Sequence, residues 1–282
     1  MPYRFLIVDG YDRDGRDNLE AAGCTLAGEL YSRMAKRDVP GCHVDIIHPA
    51  DSHNLPTGTG LSAYDALLWT GSSLTIYENA PRVTRQIDLA RAAFDARIPS
   101  FGSCWALQVA VVAAGGSCRL NPKGREFGIT RKVHLTAEGR EHPMYVGKSH
   151  AFDGFTSHFD EVETLPTGSV VLATNTATRV QAAEVRANDT SFWAVQYHPE
   201  YDLREIAALA RFRAVGLIKE GRFDTPENLS IWTDALEALH ENSDQPGLAW
   251  RLGVDTDLTD PTIRCREFRN WIKAVINQRE AA

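Results

Sequence analysis

The stretch Ile98-Pro99-Ser100-Phe101-Gly102-Ser103-Cys104-Trp105-Ala106-Leu107-Gln108 constrains the fold more than any other. It reads as a short buried strand running straight into a helix, with a cysteine at the turn. Gly102 and Ala106 flank Cys104 in a close variant of the G-x-S-x-G elbow, where small residues let strand and helix approach closely. A cysteine at a helix N-terminus meets unpaired N–H groups and the positive end of the helix dipole, which favour the thiolate. By itself the motif also fits a structural cysteine, because free cysteine is among the most buried residue types. A second stretch, Phe192-Trp193-Ala194-Val195-Gln196-Tyr197-His198-Pro199-Glu200, is another buried strand and ends in a histidine and a carboxylate. Histidine is a general base near neutral pH, and a carboxylate fixes its tautomer and orientation. Cys104, His198 and Glu200 are thus the parts of a Cys-His-acid triad.

The elements around these two strands predict an α/β fold. Tyr3–Asp9, Val44–Ile47 and Ala66–Trp69 read as strands. Gly10 to Asp17 reads as a loop. A helix is expected with Leu19, Ala22, Leu26, Leu30 and Met34 along one face, and a second from Pro81 with Val83, Ile87, Ala90 and Phe94 inward. This alternation predicts a doubly wound, mostly parallel sheet flanked by helices, with the site at the carboxyl ends of the strands. Thr70-Gly71-Ser72, Cys104 and His198 would share that edge. From Cys118 to Val185 short β-type segments dominate without helical periodicity, so a β-rich excursion is expected, followed by a helix from about Asp202 to Lys219.

The main domain is therefore placed at 1–222 and a helical C-terminal extension at 223–282. In the extension Ile231, Ala235 and Leu239 lie on one helical face, Leu248, Trp250 and Leu252 are expected to be buried, and Asp260-Pro261 opens a helix with Ile263, Phe268, Trp271 and Val275. Such a tail should pack on the main domain, on a partner, or on a second copy in a homo-oligomer.

Charge and cysteine usage narrow the partners. A net charge of −7 gives no reason to expect nucleic acid or an anionic membrane, and no apolar run has the length of a transmembrane helix. Met1 to Asp9 turns polar too soon for a signal peptide. Five cysteines, odd in number and without a C-x-x-C pair, fit reduced thiols in a cytoplasmic protein. His43, His48 and His53 recur every five residues, a spacing that alternates faces, so no metal is expected there. No cofactor is expected either.

Assembled in order, these residues make the chain resemble class I (triad) glutamine amidotransferases, especially the glutaminase domain of GMP synthase and its stand-alone relatives. Tyr64 to Ser72 is similar to the family's oxyanion strand, and Gly102 to Gln108 to its elbow. Ser157-His158-Phe159-Asp160, preceded by Arg125-Glu126-Phe127-Gly128, is similar to its Ser-His-x-Asp block, and Ala194 to Glu200 to its histidine-glutamate block. Ala106 stands where the family usually has glycine, and Thr70-Gly71-Ser72 replaces the commoner Gly-Gly-Pro. The resemblance implies a flavodoxin-like class I fold and hydrolysis of glutamine to glutamate and ammonia through a γ-glutamyl thioester on Cys104. It implies that His198 moves the proton and Glu200 orients it. Backbone N–H groups of Trp105 and Gly71 would form the oxyanion hole, and Ser72, Gln108, Ser157 and His158 would line the substrate site. No phosphate-loop signature is present, so a separate ammonia-using synthase would be the partner. The alternatives are a free-standing hydrolase of γ-glutamyl amides or peptides, and a non-catalytic binding or regulatory module on the same fold.

Overall fold

The computed structural model describes residues 2–52 and 55–281. The first strands are β1 (Arg4–Val8), β2 (His43–Ile47), β3 (Ala66–Trp69) and β4 (Ser100–Ser103), interleaved with helices α1 (Arg13–Ala21), α2 (Ala27–Asp38) and α3 (Pro81–Asp95). The elbow helix α4 (Trp105–Ala113) follows β4 directly. Next come β5 (Ser117–Leu120), β6 (Glu126–Leu135), a short α5 (Ala137–Glu141), β7 (Ala151–His158), β8 (Asp160–Thr164), β9 (Val170–Thr174), β10 (Ala182–Ala187) and β11 (Thr190–Val195). The rest is helical: α6 (Leu203–Phe212), α7 (Ala214–Lys219), α8 (Pro226–Glu241), α9 (Pro246–Leu252), α10 (Thr256–Thr259), α11 (Pro261–Arg264) and α12 (Arg266–Ala281).

Nine strands form one sheet in the order β2-β1-β3-β4-β11-β10-β9-β6-β7. The run from β2 to β11 is parallel, and the remaining strands join antiparallel. The β-rich excursion thus extends the main sheet, apart from a small β5–β8 ribbon. Register sets the functional edge. Trp69 and Gly102 are paired, as are Ser103 and Val195, so the chain leaves β3, β4 and β11 side by side toward Gly71, Cys104 and His198.

Both faces of the sheet are covered, as side-chain alternation along β1 requires. Leu6 and Val8 face α3 and α4, while Phe5 and Ile7 face a layer that includes Phe268, Trp271, Ile272 and Val275 of α12. The rings of Phe268 and Trp271 each lie 5.6 Å from that of Phe101 on the elbow strand. Buried Glu267 pairs with Lys148 at 2.9 Å and accepts from the Tyr197 hydroxyl at 2.5 Å. The Cys265 thiol donates to the Pro199 carbonyl at 3.1 Å.

Several local expectations are corrected. The helix expected along Leu19 to Met34 is two helices. At Gly23, with φ +76°, the chain turns left-handed, and the Cys24 N–H bonds back to the Leu19 carbonyl in a Schellman closure. The expected loop at Gly10–Asp17 already contains the start of α1, because Asp12 Oδ1 caps the Gly15 N–H at 2.9 Å. The expected helix to Lys219 breaks at Arg213, whose φ −98° and ψ 11° leave the helical range. The excursion holds a short α-helix, α5, capped by Thr136, and a 3-10 turn at Pro143–Tyr145. Ile231 and Trp250 are 63% and 85% exposed. Of that face Ala235 and Leu239 are buried, Leu239 packs together with Leu236 against α6, and α9 turns Leu248 and Leu252 inward instead of Trp250. Among the described residues no helix is long and apolar enough to cross a membrane.

Candidate active site

Cys104 caps the N-terminus of α4 with φ 53° and ψ −102°, a backbone region that non-glycine residues avoid at a cost of about 1–3 kcal/mol. The surrounding structure holds it there. Its N–H donates to the Val195 carbonyl at 2.7 Å, tying the elbow to the neighbouring strand. A Cβ on Gly102 would overlap Ala106 Cβ and lie 2.5 Å from the Trp69 carbonyl oxygen. Glycine at 102 is therefore what makes room for alanine at 106. Trp105, the first helical residue, is fixed by its indole N–H, which donates to Gln86 Oε1 at 2.8 Å.

His198 and Glu200 meet this thiol from the adjacent strand. Nδ1 of His198 lies 2.6 Å from Glu200 Oε1, both buried. The imidazole also shares a side-chain hydrogen bond with Cys104. Burial works against a charged ring, but the Glu200 charge, then that of Cys104 and both hydrogen bonds, outweigh it and push His198 up to about 10. Glu200 Oε1 also accepts from Ser103 Oγ at 2.8 Å, and Ser103 accepts from the Tyr31 hydroxyl at 2.8 Å. Tyr201 stacks on His198, with centroids 4.1 Å apart and planes 4° from parallel.

Gly71 lies against the pair: a Cβ there would be 2.9 Å from His198 Cε1 and 3.8 Å from Cys104 Cβ. Any side chain would push the imidazole off the thiol. The Ser72 hydroxyl is engaged in its own turn, donating to the Gly10 carbonyl at 2.9 Å and accepting from the Leu74 N–H at 3.2 Å. The Ser157 carbonyl faces Cys104 Sγ at 3.8 Å. The His158 ring is held from both sides: Nε2 is 2.9 Å from Glu126 Oε2 and Nδ1 is 2.9 Å from the Asp160 carbonyl.

A cleft of about 340 Å³ opens over Cys104. Ser72, Trp105, Gln108, Ser157 and His158 line it, so the structure brings together the residues that the sequence singled out. It adds Tyr77, Asp160 and Arg213, which sequence reasoning did not select as site residues. Tyr201 and Ser103 were also missed, although each is the immediate neighbour of a triad position. A larger cavity of about 740 Å³ opens at the opposite edge of the sheet, beside Pro99 and Thr190. It holds no cysteine or histidine. His43 opens β2 and His48 follows its last residue, at opposite ends of the strand, and His53 lies outside the described residues.

Residues 32–213 match the family described as glutamine amidotransferase class-I. A γ-glutamyl-L-1-hydroxyisopropylamide hydrolase of a Pseudomonas species is 35% identical over 279 residues, covering 97% of this chain and 93% of that one. A GMP synthase of Thermosipho africanus is 32% identical over 136 residues, 48% of this chain, and the match spans only 24% of the synthase. Among solved structures, a glutamine amidotransferase of Thermotoga maritima superposes with a TM-score of 0.68 at 14% identity, covering 98% of this chain and 99% of that one. A glutamine amidotransferase of Methylobacillus flagellatus gives 0.61 at 17% identity, covering 96% and 94%.

Proposed function

The chain belongs to the class-I glutamine amidotransferase family, and from that premise we propose that it is a free-standing hydrolase of γ-glutamyl amides, with Cys104 as nucleophile. One observation carries the choice over an ammonia-donating glutaminase. The likeness to the γ-glutamyl amide hydrolase runs through 97% of the chain, whereas the GMP synthases match over 44–72% of it.

In this reading the Cys104 thiolate attacks the γ-carbonyl carbon and the carbonyl electrons move to oxygen. The N–H groups of Trp105 and Gly71 receive that oxyanion, and loss of such a donor typically costs on the order of 10² to 10³ in rate. Protonated His198 gives its proton to the amine nitrogen as the C–N bond breaks, leaving a γ-glutamyl thioester. Water then attacks the thioester and His198 takes its proton. The C–S bond breaks, releasing glutamate and restoring thiolate and imidazolium. Glu200 holds His198 so that its free nitrogen points at sulfur. Gln108, with the backbone at Ser157 and His158, holds the amino-acid end of the substrate.

The test is amine and glutamate release from glutamine and a set of N-alkyl γ-glutamyl amides, wild type against Cys104→Ala. Faster release from the N-alkyl amides, lost in the variant, is the expected result. Hydrolysis confined to glutamine would move the assignment to an ammonia donor with a separate synthase. Activity that survives Cys104→Ala would remove the thiol from the mechanism.

A further inference from the structure

The cleft over Cys104 is lined by chemically different groups. Gln108, Ser157 and Asp160 line it, and the Asp160 carboxylate is occupied by the Tyr77 hydroxyl at 3.1 Å. Arg213 lines it too. Arg213 sits at the break between α6 and α7, where the chain leaves helical geometry. Among the described residues its side chain has no carboxylate partner, and its buried Nε has no hydrogen-bond partner. The neighbouring cation has a counter-charge: Arg125 pairs with Glu220 at 3.1 Å and lies 3.9 Å over the Phe159 ring. A guanidinium left unpaired beside a nucleophile lacks the acceptors that such a fork of donors ordinarily finds.

Its place relative to the reaction follows from the proton path. His198 must protonate the leaving amine, so whatever that amine carries projects along the His198 wall. Tyr201 forms that wall by stacking on His198. Arg213 is the one arginine or lysine among the residues that line the cleft. With the glutamyl part held by Gln108 and the backbone at Ser157 and His158, Arg213 is left to meet the amine substituent.

Resting on the hydrolase reading above, we propose that Arg213 selects the leaving amine, accepting γ-glutamyl amides whose amine portion bears an oxygen acceptor, a hydroxyl or a carboxylate. Charge-assisted hydrogen bonds are the strong ones, and a site built around one discriminates against an amine that cannot make it.

The experiment compares kcat/KM for γ-glutamyl-propylamide, γ-glutamyl-ethanolamide and γ-glutamyl-glycine in wild type, Arg213→Met and Arg213→Lys. Wild type is expected to favour at least one oxygen-bearing amide over the propylamide by about 10-fold or more. Arg213→Met should bring that ratio to about one, and Arg213→Lys should retain part of it. Preference for the ethanolamide identifies an amino-alcohol amine, and preference for the glycine compound an amino-acid amine. Alkylation of Cys104 by the chloromethyl ketone analogue of glutamine, which has no amine portion, checks that each variant has formed its site. A wild-type ratio near one overturns the proposal. So does an equal loss on all three amides in Arg213→Met, because the guanidinium would then hold the glutamyl part they share. If wild type cleaves none of the three, the hydrolase reading itself fails, a result distinct from cleavage without selectivity.

Discussion

Two buried histidine–glutamate pairs border the Cys104 cleft, His198 with Glu200 and His158 with Glu126. Their contacts are alike, 2.6 Å and 2.9 Å. They differ in what the second ring nitrogen faces. In His198 it meets the Cys104 thiol, and in His158 it meets the Asp160 carbonyl. They differ too in how the carboxylate is served. Glu126 accepts from Thr130, Asn175 and Gln181 as well as His158. Glu200 accepts from Ser103 and His198 on Oε1, and its buried Oε2 has no protein partner. The same two side chains thus serve two ends. A pair with one nitrogen left over is equipped to move a proton, while a pair with both nitrogens engaged ties together the turn that carries Ser157 and Phe159.

The largest expected effect separates the pairs directly. His198→Ala should lower kcat/KM by roughly 10⁴-fold or more. His158→Ala should lower it by about 10²-fold at most, through misplacement of the substrate wall. Equal losses in steady-state assays would erase the distinction.

Glu200→Gln should reduce kcat by about 10² to 10⁴-fold. It also removes the largest influence that raises His198. The wild-type His198 proton is fully held below the ordinary value of 6.5 and is lost as pH rises through about 10. The alkaline limb of kcat/KM should therefore move to lower pH in the variant, and an unmoved limb would detach Glu200 from the titration.

Glu126→Gln should act on stability, by about 3 kcal/mol, because it takes the carboxylate away from the His158, Thr130, Asn175 and Gln181 donors that converge on it. Burial raises the Glu126 carboxyl, but the His158 hydrogen bond and charge, with Thr130 and Asn175, outweigh it and hold it at about 2. A depressed carboxyl stabilises the fold above its ordinary 4.5, and that contribution disappears as pH falls through about 2. Urea unfolding of wild type and variant should therefore converge on acidification. A constant gap would show that the charge of Glu126 is not what matters.

The smallest effect is expected from Ser103→Ala, which removes one of the two donors to Glu200 Oε1. A loss of about 1 kcal/mol, roughly fivefold in kcat/KM, is expected. A loss as large as that of Glu200→Gln would make the serine the principal support of the carboxylate.

The elbow, the histidine strand and the doubly wound order were legible because each is local: residue type and spacing within about ten positions carry the signal. What stayed hidden depends on contacts between distant segments. Glu126 was visible only as part of a matching block, since its partner lies on a different strand. Arg213 looked like one more cation on a continuous helix, and only the break after Phe212 sets it over the cleft. At Gly23 the apolar spacing of Leu19 to Met34 outweighed a glycine that in fact ends the helix. Trp250 shows the opposite error. Its hydrophobicity argued for burial, but α9 is short and turns Leu248 and Leu252 inward instead.

The packing of α12 on Phe101 also sets an order in time. A growing chain displays the elbow strand long before Phe268 and Trp271 exist to cover it. At about 5–20 residues per second, roughly 10–30 s of translation separate the two. Through that interval the strand that presents the nucleophile keeps an uncovered aromatic face, so the nascent chain needs shielding from its neighbours. Premature termination upstream of residue 266 should yield material for proteolysis rather than a smaller enzyme.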